Sequence, residues 1–409
     1  MIDSRIPLIL HTECSDGWGG QEIRIMEELR GMRRYGYATA LIAPQHSRIF
    51  ARAQEEGLAV YPVRFGSKGH FPSWVRLFRL IAQLKPDVVN THSSDDSWMA
   101  GFVARALGVP LIVRTRHVST PIGSAFSYKA FPHRILTTSQ AIRESLIACG
   151  IHEERIVAVP TGIDSNRFRF SSSWRNEIRE KHGFSEEDIL VGNICVLRSW
   201  KGLDFFIDTA AQMPPRFKFI LVGDGPQRSR LQDKARGMGL EGRMVFPGHQ
   251  EEIEKYFSAL DLYFFTSYAN EGVPQSLLQA KSVGLPMVVC RTPSVLETLQ
   301  AAEDVIPVEY GEVPSACGAL EKAGQMIRIS DDRRKEKNER VRSTHSLEAM
   351  LGKIRELYGQ WGIGAPAVPQ DSHGVTHEEH GEPRELIRER TVEGSGHDRN
   401  DESAKRGNP

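Results

Sequence analysis

The chain reads as an α/β protein of two doubly wound domains, each a parallel sheet covered by helices on both faces. Three observations carry this. Short apolar runs alternate with helix-periodic segments over most of the sequence, and the alternation stops at a polar bridge and then begins again. At 409 residues the chain also exceeds what one ordinary core encloses.

The first set of runs is IPLILHT, ATALIAP, DVVNTH, PLIVRT and RILTTS. Each is short and bounded by turn residues, which predicts buried strands, while QEIRIMEELRGMRRYG and WVRLFRLIAQLKP between them carry apolar residues at helical spacing. After SNRFRFSSSWRNEIREKHGFSEED a second set follows: ILVGNICVL, FKFILVGDG, RMVFPG, LDLYFFTS, PMVVC and DVIPVE. The expected domains are 1–170 and 186–345. They are followed by one amphipathic helix over 346–362 and a tail, 363–409, with too few large apolar residues to offset the entropy of ordering. HGVTHEEH in that tail could hold a metal, but a solvated tail is the default reading and no metal site is assigned.

Composition narrows the function classes. The 52 Lys and Arg balance 52 Asp and Glu, so net charge points to no nucleic-acid partner. Between Lys68 and Arg143, however, ten basic residues stand against three acidic ones, which fits either a solvated mixed surface or an anionic acceptor or lipid headgroup. Cys14, Cys149, Cys195, Cys290 and Cys317 show no paired spacing, which speaks against a disulfide framework or a zinc site. The N-terminal apolar run is too short for a signal peptide and no window reaches membrane-span length, so a cytoplasmic protein is expected, with peripheral membrane contact left open.

Ligand sites in doubly wound sheets lie at the carboxyl ends of the strands. Gly19 and Gly20 in WGGQE link the first strand to the first helix, where paired glycines let backbone approach a phosphate or simply make a tight turn. The segment lacks the G-x-G-x-x-G spacing and no acid ends ATALIAP, which disfavours a dehydrogenase. Arg198 and Lys201 in VLRSWKG are spaced either to converge on one diphosphate or to make a salt-bridged surface pair, and Gly223, Asp224 and Gly225 in LVGDGP form another strand-to-turn segment, a nucleotide cradle or an ordinary tight turn. No hydrolase-type carboxylate pair or G-x-S-x-G elbow is present. His117 in RTRHVSTP sits just past a strand end, either as a structural hydrogen-bonding residue or as part of a site. Glu271 at the start of EGVPQSLLQAKSVGLP has two readings, a helix-start acid favoured by the macrodipole or a ligand-binding residue.

Taken in order, GGQE, DVVNTH, VRTRH, TTSQAI, VAVPTGIDSNRF, LRSWKG, VGDGP, VFPGHQEEIEKYFSALDLYFFTS and EGVPQSLLQAKSVGLPMVV closely resemble the family-4 retaining glycosyltransferases across about residues 8–360. The resemblance implies the GT-B fold, two Rossmann-like domains facing a central cleft. It gives Glu271 the place of the acid that contacts donor-sugar hydroxyls, and Gly272, Val273 and Pro274 that of the helix start that holds the diphosphate. The family position eight residues beyond Glu271 is a ribose-binding Glu, and here it is Gln279. An amide still accepts and donates one hydroxyl bond. Charged hydrogen bonds contribute about 1.5–3 kcal/mol and neutral ones about 0.5–1.5, so the exchange should cost roughly tenfold in donor affinity. Val196 stands where the family has its diphosphate Arg, and Arg198, two residues nearer the strand end, is expected to take that role. Thr161 stands where the family commonly has Asn, and no functional loss is attached to it.

What the resemblance implies is transfer of a hexose or related sugar from a nucleoside diphosphate to an acceptor hydroxyl with retention of configuration. His117, Lys201 and Glu271 form the expected catalytic set, and no metal or cofactor is expected. The expected donor set is Gly19, Gly20, Arg198, Lys201, Gly223, Asp224, Gly225, Glu271, Gly272, Val273, Pro274 and Gln279. The expected partners are a nucleotide-sugar donor, a glycan or lipid-linked acceptor and the inner face of an anionic membrane, with no nucleic acid. Bacterial envelope polysaccharide or lipopolysaccharide assembly is the implied setting. The alternatives are a catalytically silent sugar-nucleotide-binding partner of another transferase and a GT-B epimerase.

Overall fold

Seven short strands make the first sheet: β1 (Leu8–Thr12), β2 (Ala38–Ala43), β3 (Ala59–Pro62), β4 (Val88–Thr91), β5 (Leu111–Arg116), β6 (Arg134–Thr137) and β7 (Ile156–Ala158). They lie in the order β3-β2-β1-β4-β5-β6-β7 with every pairing parallel. The structure is a computed structural model that describes residues 5–66, 71–269, 271–299, 304–327 and 331–364. Lys68, Asn270 and, apart from Ile363 and Gly364, the expected tail with HGVTHEEH lie outside the described residues. The edge strands β3 and β7 are additions to the sequence reading. Both are short and half-exposed, and β3 ends in Pro62, a residue that edges tolerate.

The second sheet holds β8 (Ile189–Ile194), β9 (Phe217–Val222), β10 (Met244–Gly248), β11 (Leu262–Phe265), β12 (Met287–Cys290) and β13 (Val305–Val308), ordered β10-β9-β8-β11-β12-β13 and again all parallel. In each sheet the winding reverses once, between β1 and β4 and between β8 and β11. Loops leaving the two strands at such a reversal diverge to opposite faces and leave a crevice at the carboxyl ends. The central strands β1, β11 and β12 are buried throughout because helices cover both faces. Ile25, Met26 and Leu29 of helix Gly20–Arg34 pack on one face of the first sheet, and Leu77 and Ile81 of helix Phe71–Leu84 on the other.

The chain crosses between the domains twice. Helix Ser172–His182, in the polar bridge, is tied to the second domain by buried Arg179, whose Nη1 donates to Asp261 at 3.1 Å. Helix Asp331–His345 lies on the same domain, where Asn338 Nδ2 donates to Ser282 Oγ at 2.8 Å. Helix Leu347–Gln360 then returns to the first domain. Its Leu351, Ile354 and Tyr358 repeat at helical spacing and pack with Ile9, Met32 and Val113, while Ser346 Oγ caps the helix at Ala349 N. The crossing segments are joined, since Ile163 N donates to His345 O at 2.9 Å and Leu347 N to Ile163 O at 3.0 Å.

Because Leu351 is fully buried in this contact, Leu351→Ala should remove about 2–5 kcal/mol of stability. Urea unfolding followed by circular dichroism measures the loss, and a change under 1 kcal/mol would mean that the helix is not part of the first domain's core.

Candidate active site

The carboxyl ends of β8 and β11 carry the two most chemically suggestive residues of the second domain. From β8 the chain runs through Cys195–Leu197 into a single turn, Ser199–Lys201; from β11 it runs through Thr266–Tyr268 toward Glu271. Lys201 Nζ and Glu271 Oε1 meet at 2.6 Å, with their side chains only 19% and 10% exposed. Burial alone would lower the Lys201 ammonium, but the Glu271 carboxylate outweighs it and holds its pKa above the usual value. The reading of Glu271 as a helix-start acid is corrected here. The helix begins at Gln275 with Pro274 as its N-cap and carries no acid in its first turn, so the charge partner of Glu271 is Lys201.

Other expected residues divide by what they touch. Arg198 stacks its guanidinium 5.2 Å from the Trp200 ring, and its tip lies close to Gly17 in the glycine-rich turn of the first domain. Of the paired glycines in that turn, Gly19 spends its N–H on Glu22 Oε2 at 2.8 Å, whereas Gly20 O accepts from Gln275 Nε2 of the opposite domain at 3.1 Å. Gly223 and Gly225, with φ of +133° and +157°, let their turn close on the backbone of Cys195 and Leu197. Their direct effect is to shape the loop that carries Arg198 and Lys201. Asp224 is more than half exposed and accepts from Gly225 N at 2.7 Å. Gln279, in the second turn of helix Gln275–Val283, is buried, and its side chain takes no hydrogen bond among the described residues. Thr161 accepts from Arg24 at 3.1 Å on the first domain.

Across the cleft, His117 follows the end of β5, and its backbone meets the Glu271–Gly272 turn directly. A Cβ at residue 272 would be driven into the His117 carbonyl oxygen and against Thr138 Oγ1, so only glycine permits this approach. Behind His117 lie two histidines that the sequence reading did not single out. His92 Nδ1 is 2.9 Å from His117 Nε2, and His92 Nε2 is 2.9 Å from His11 Nδ1. The three rings come from β1 and from just past the ends of its neighbours β4 and β5, and their centroids are 5.2 Å apart at both steps. Burial holds all three imidazoles below their ordinary pKa; neighbouring positive and imidazole charges add to it at His92 and His117, whereas the Glu28 carboxylate opposes it at His11.

Beside them sits a pair of carboxyls, Glu13 just past β1 and Asp96 in the first turn of helix Ser94–Ala106. Glu13 accepts from Cys14 N and Ser15 N at 2.8 Å, from Ser93 Oγ at 2.7 Å and from Gln21 Nε2. Asp96 accepts from Thr12 Oγ1 at 2.7 Å, His92 N at 2.9 Å and Ser93 N at 2.8 Å. These bonds fasten the glycine-rich turn to the β4 loop. The signal for His11, Glu13 and His92 was present in the sequence, as polar residues ending apolar strands on either side of the winding reversal.

Two Rossmann-like domains that present such groups to each other across a cleft make the GT-B architecture, the class of enzyme that transfers sugars. The Glycosyltransferase Family 4 profile matches residues 18–167 and the Glycosyl transferases group 1 profile matches 175–333, and the chain belongs to these family-4, group 1 glycosyltransferases. It is 23% identical over 312 residues, 70% of this chain and 78% of the relative, to the Escherichia coli UDP-Gal:alpha-D-GlcNAc-diphosphoundecaprenol alpha-1,3-galactosyltransferase. It is 26% identical over 234 residues to the Bacillus subtilis putative glycosyltransferase EpsF, covering 52% of this chain and 59% of that one. Among solved structures, Anabaena HepE in complex with UDP superposes with a TM-score of 0.77 at 18% identity, over 87% of this chain and all of that one.

The carboxyl pair makes a pH prediction. Burial, followed by the charges of Asp96 and Glu22, pushes Glu13 up to about 8, and burial pushes Asp96 up to about 6. A folded-state carboxyl pKa above its unfolded value means that the folded state keeps a proton the unfolded chain has lost, so stability falls as pH rises through that interval. Glu13→Gln keeps an oxygen for the backbone donors and carries no charge. Its melting temperature should therefore gain on wild type steadily from pH 5 to pH 8, and equal slopes for the two proteins would refute the assignment.

Proposed function

We propose that the protein transfers a sugar from a nucleoside-diphosphate sugar to an acceptor hydroxyl with retention of configuration, in the assembly of a bacterial envelope polysaccharide or lipopolysaccharide. The observation that carries this is the Lys201–Glu271 pair at the winding reversal of the second domain, set against His117 of the first. Lys201, Arg198 and the start of helix Gln275–Val283 would stabilise negative charge on the departing diphosphate. Glu271 and His117 would hold the sugar from opposite sides. Gln279, buried and without a protein partner among the described residues, would meet the ribose hydroxyls. The leaving phosphate would take the acceptor proton on the same face, which calls for no dedicated base, metal or cofactor. The UDP complex of the HepE structure and the UDP-Gal donor named for the E. coli relative support a uridine nucleotide as the first donor to test.

A lipid-linked acceptor fits a second part of this proposal, peripheral contact with an anionic membrane. No helix among the described residues is long and apolar enough to cross a membrane. The support is a continuous aromatic and cationic surface on the first domain. Phe71, Phe102 and Phe126 are 74%, 51% and 55% exposed, and ring contacts join Trp74 to Phe102 at 5.8 Å and Trp98 to Phe126 at 5.3 Å. Arg76, Arg79, Arg105 and Lys129 are exposed on the same helices, and helix Phe71–Leu84 contains no acid. Apolar insertion and basic charge together supply the two signals that surface binding needs.

The donor assignment is tested by thermal shift with UDP, GDP, ADP and their common sugars. A ligand at a hundred times its Kd adds about 2.7 kcal/mol of apparent stability. One nucleotide sugar should raise the Tm of wild type but not of Lys201→Ala, and in transfer assays that variant should lose about a hundredfold or more in kcat. If no nucleotide shifts wild type, the donor reading fails. For the membrane, co-sedimentation with phosphatidylglycerol vesicles but not phosphatidylcholine vesicles is expected, and Phe102→Ser combined with Phe126→Ser should abolish it without lowering Tm. Equal recovery with both vesicle types would remove the anionic contact.

A further inference from the structure

The three histidines constrain one another's protons. A neutral imidazole has one N–H and one bare nitrogen, and each of the two contacts, His11 Nδ1 to His92 Nε2 and His92 Nδ1 to His117 Nε2, needs one of each. Only two arrangements satisfy both: all three rings carry hydrogen on Nδ1, or all three carry it on Nε2. The buried end decides between them. His11 Nε2 has no hydrogen-bond partner, and the same core holds other buried polar atoms without one, Arg24 Nη2, Asn90 Nδ2, Glu28 Oε2 and the Tyr358 hydroxyl. Asn90 is the register partner of His11 on β4, Arg24 pairs with Glu28 at 2.8 Å, and helix Leu347–Gln360 brings Tyr358 against the same core. With hydrogen on Nε2, His11 would add one more N–H to the four of the Arg24 Nη2 and Asn90 Nδ2 groups, against the single carboxylate oxygen of Glu28. With hydrogen on Nδ1, its bare Nε2 becomes a second acceptor beside Glu28 in this donor-rich set, with the hydroxyl able to serve either side. Buried unpaired donors are the less tolerated kind.

We infer that His11 and His92 are positioning residues which lock His117 in the Nδ1–H form, so that His117 offers the cleft a hydrogen-bond donor and not a base. His117 Nδ1 is the free end of the chain, with no protein partner among the described residues and outside the set of sealed polar atoms. A donor there suits a sugar hydroxyl or ring oxygen and cannot accept the acceptor's proton, which leaves that proton to the departing phosphate. The inference rests on the reading of His117 as a donor-sugar contact, but the tautomer itself does not.

The test is long-range 1H–15N correlation on full-length protein labelled at histidine nitrogen, at pH 7, with His117→Gln used to assign one ring. Wild type should show three buried rings in the Nδ1–H pattern. In His92→Phe, which keeps a ring in place but cuts both bonds, His117 should leave that pattern. An Nε2–H pattern in wild type, or a His117 signal that His92→Phe does not move, overturns the proposal, and if His92→Phe does not fold the wild-type spectrum decides alone. With a transferable nucleotide sugar in hand, His92→Phe should lower kcat about tenfold at unchanged nucleotide Kd, the size expected for one misdirected neutral hydrogen bond. An unchanged kcat would remove the positioning role, whereas an absence of transfer by wild type, with the tautomer pattern intact, would count against the sugar-transfer reading alone.

Discussion

The contact between the Glu271–Gly272 turn and the His117 carbonyl is what the cleft depends on. It brings a carboxylate from one domain against a strand end of the other at a separation that no side chain at residue 272 would allow. Closing the domains this far also removes water from Lys201 and Glu271, and their attraction strengthens as the surrounding dielectric falls. Neither charge would be tolerable there alone, since an unpaired buried charge carries a large desolvation cost. The pair therefore keeps a cation and an anion ready in a place where a ligand with both phosphates and hydroxyls can engage each of them.

Most of the architecture was legible in the sequence because parallel strands covered on both faces must be short and apolar, and runs such as LILHT and LYFF have no other stable use. The edge strands β3 and β7 were missed for the complementary reason: an edge is half-covered, so its pattern weakens. The site was legible only where a local motif marked it. EGVP and RSWKG could be located, but that Glu271 serves as an ion-pair partner and not as a helix-start charge depends on where β8 and β11 lie in the sheet. Strand order is a long-range property. His11 and His92 are 81 residues apart in the chain yet lie on one strand and at the end of its neighbour, and nothing in the sequence around either residue encodes that adjacency.

Arg24 and Glu28 show how the polar interior serves the geometry and not the stability. Both side chains are almost completely buried, a placement that a pair of apolar residues would match or exceed in free energy. What the pair offers is direction. Arg24 Nη1 also donates to Val159 O at 2.9 Å and to Thr161 Oγ1 at 3.1 Å. The first helix of the chain thereby grips the segment just as it leaves the first domain, and fixes the angle at which that segment sets out.

That segment and the one by which the chain returns are bonded side by side at Ile163. A single tether between two bodies permits bending about any axis and also twisting. Two tethers fastened together act as a hinge with one pin: twisting would shear the hydrogen bonds between them, whereas bending about the line they share leaves those bonds intact. Any swing of the two halves is thereby confined to one path, along which the turn at Gly272 meets the same carbonyl without a search over orientations.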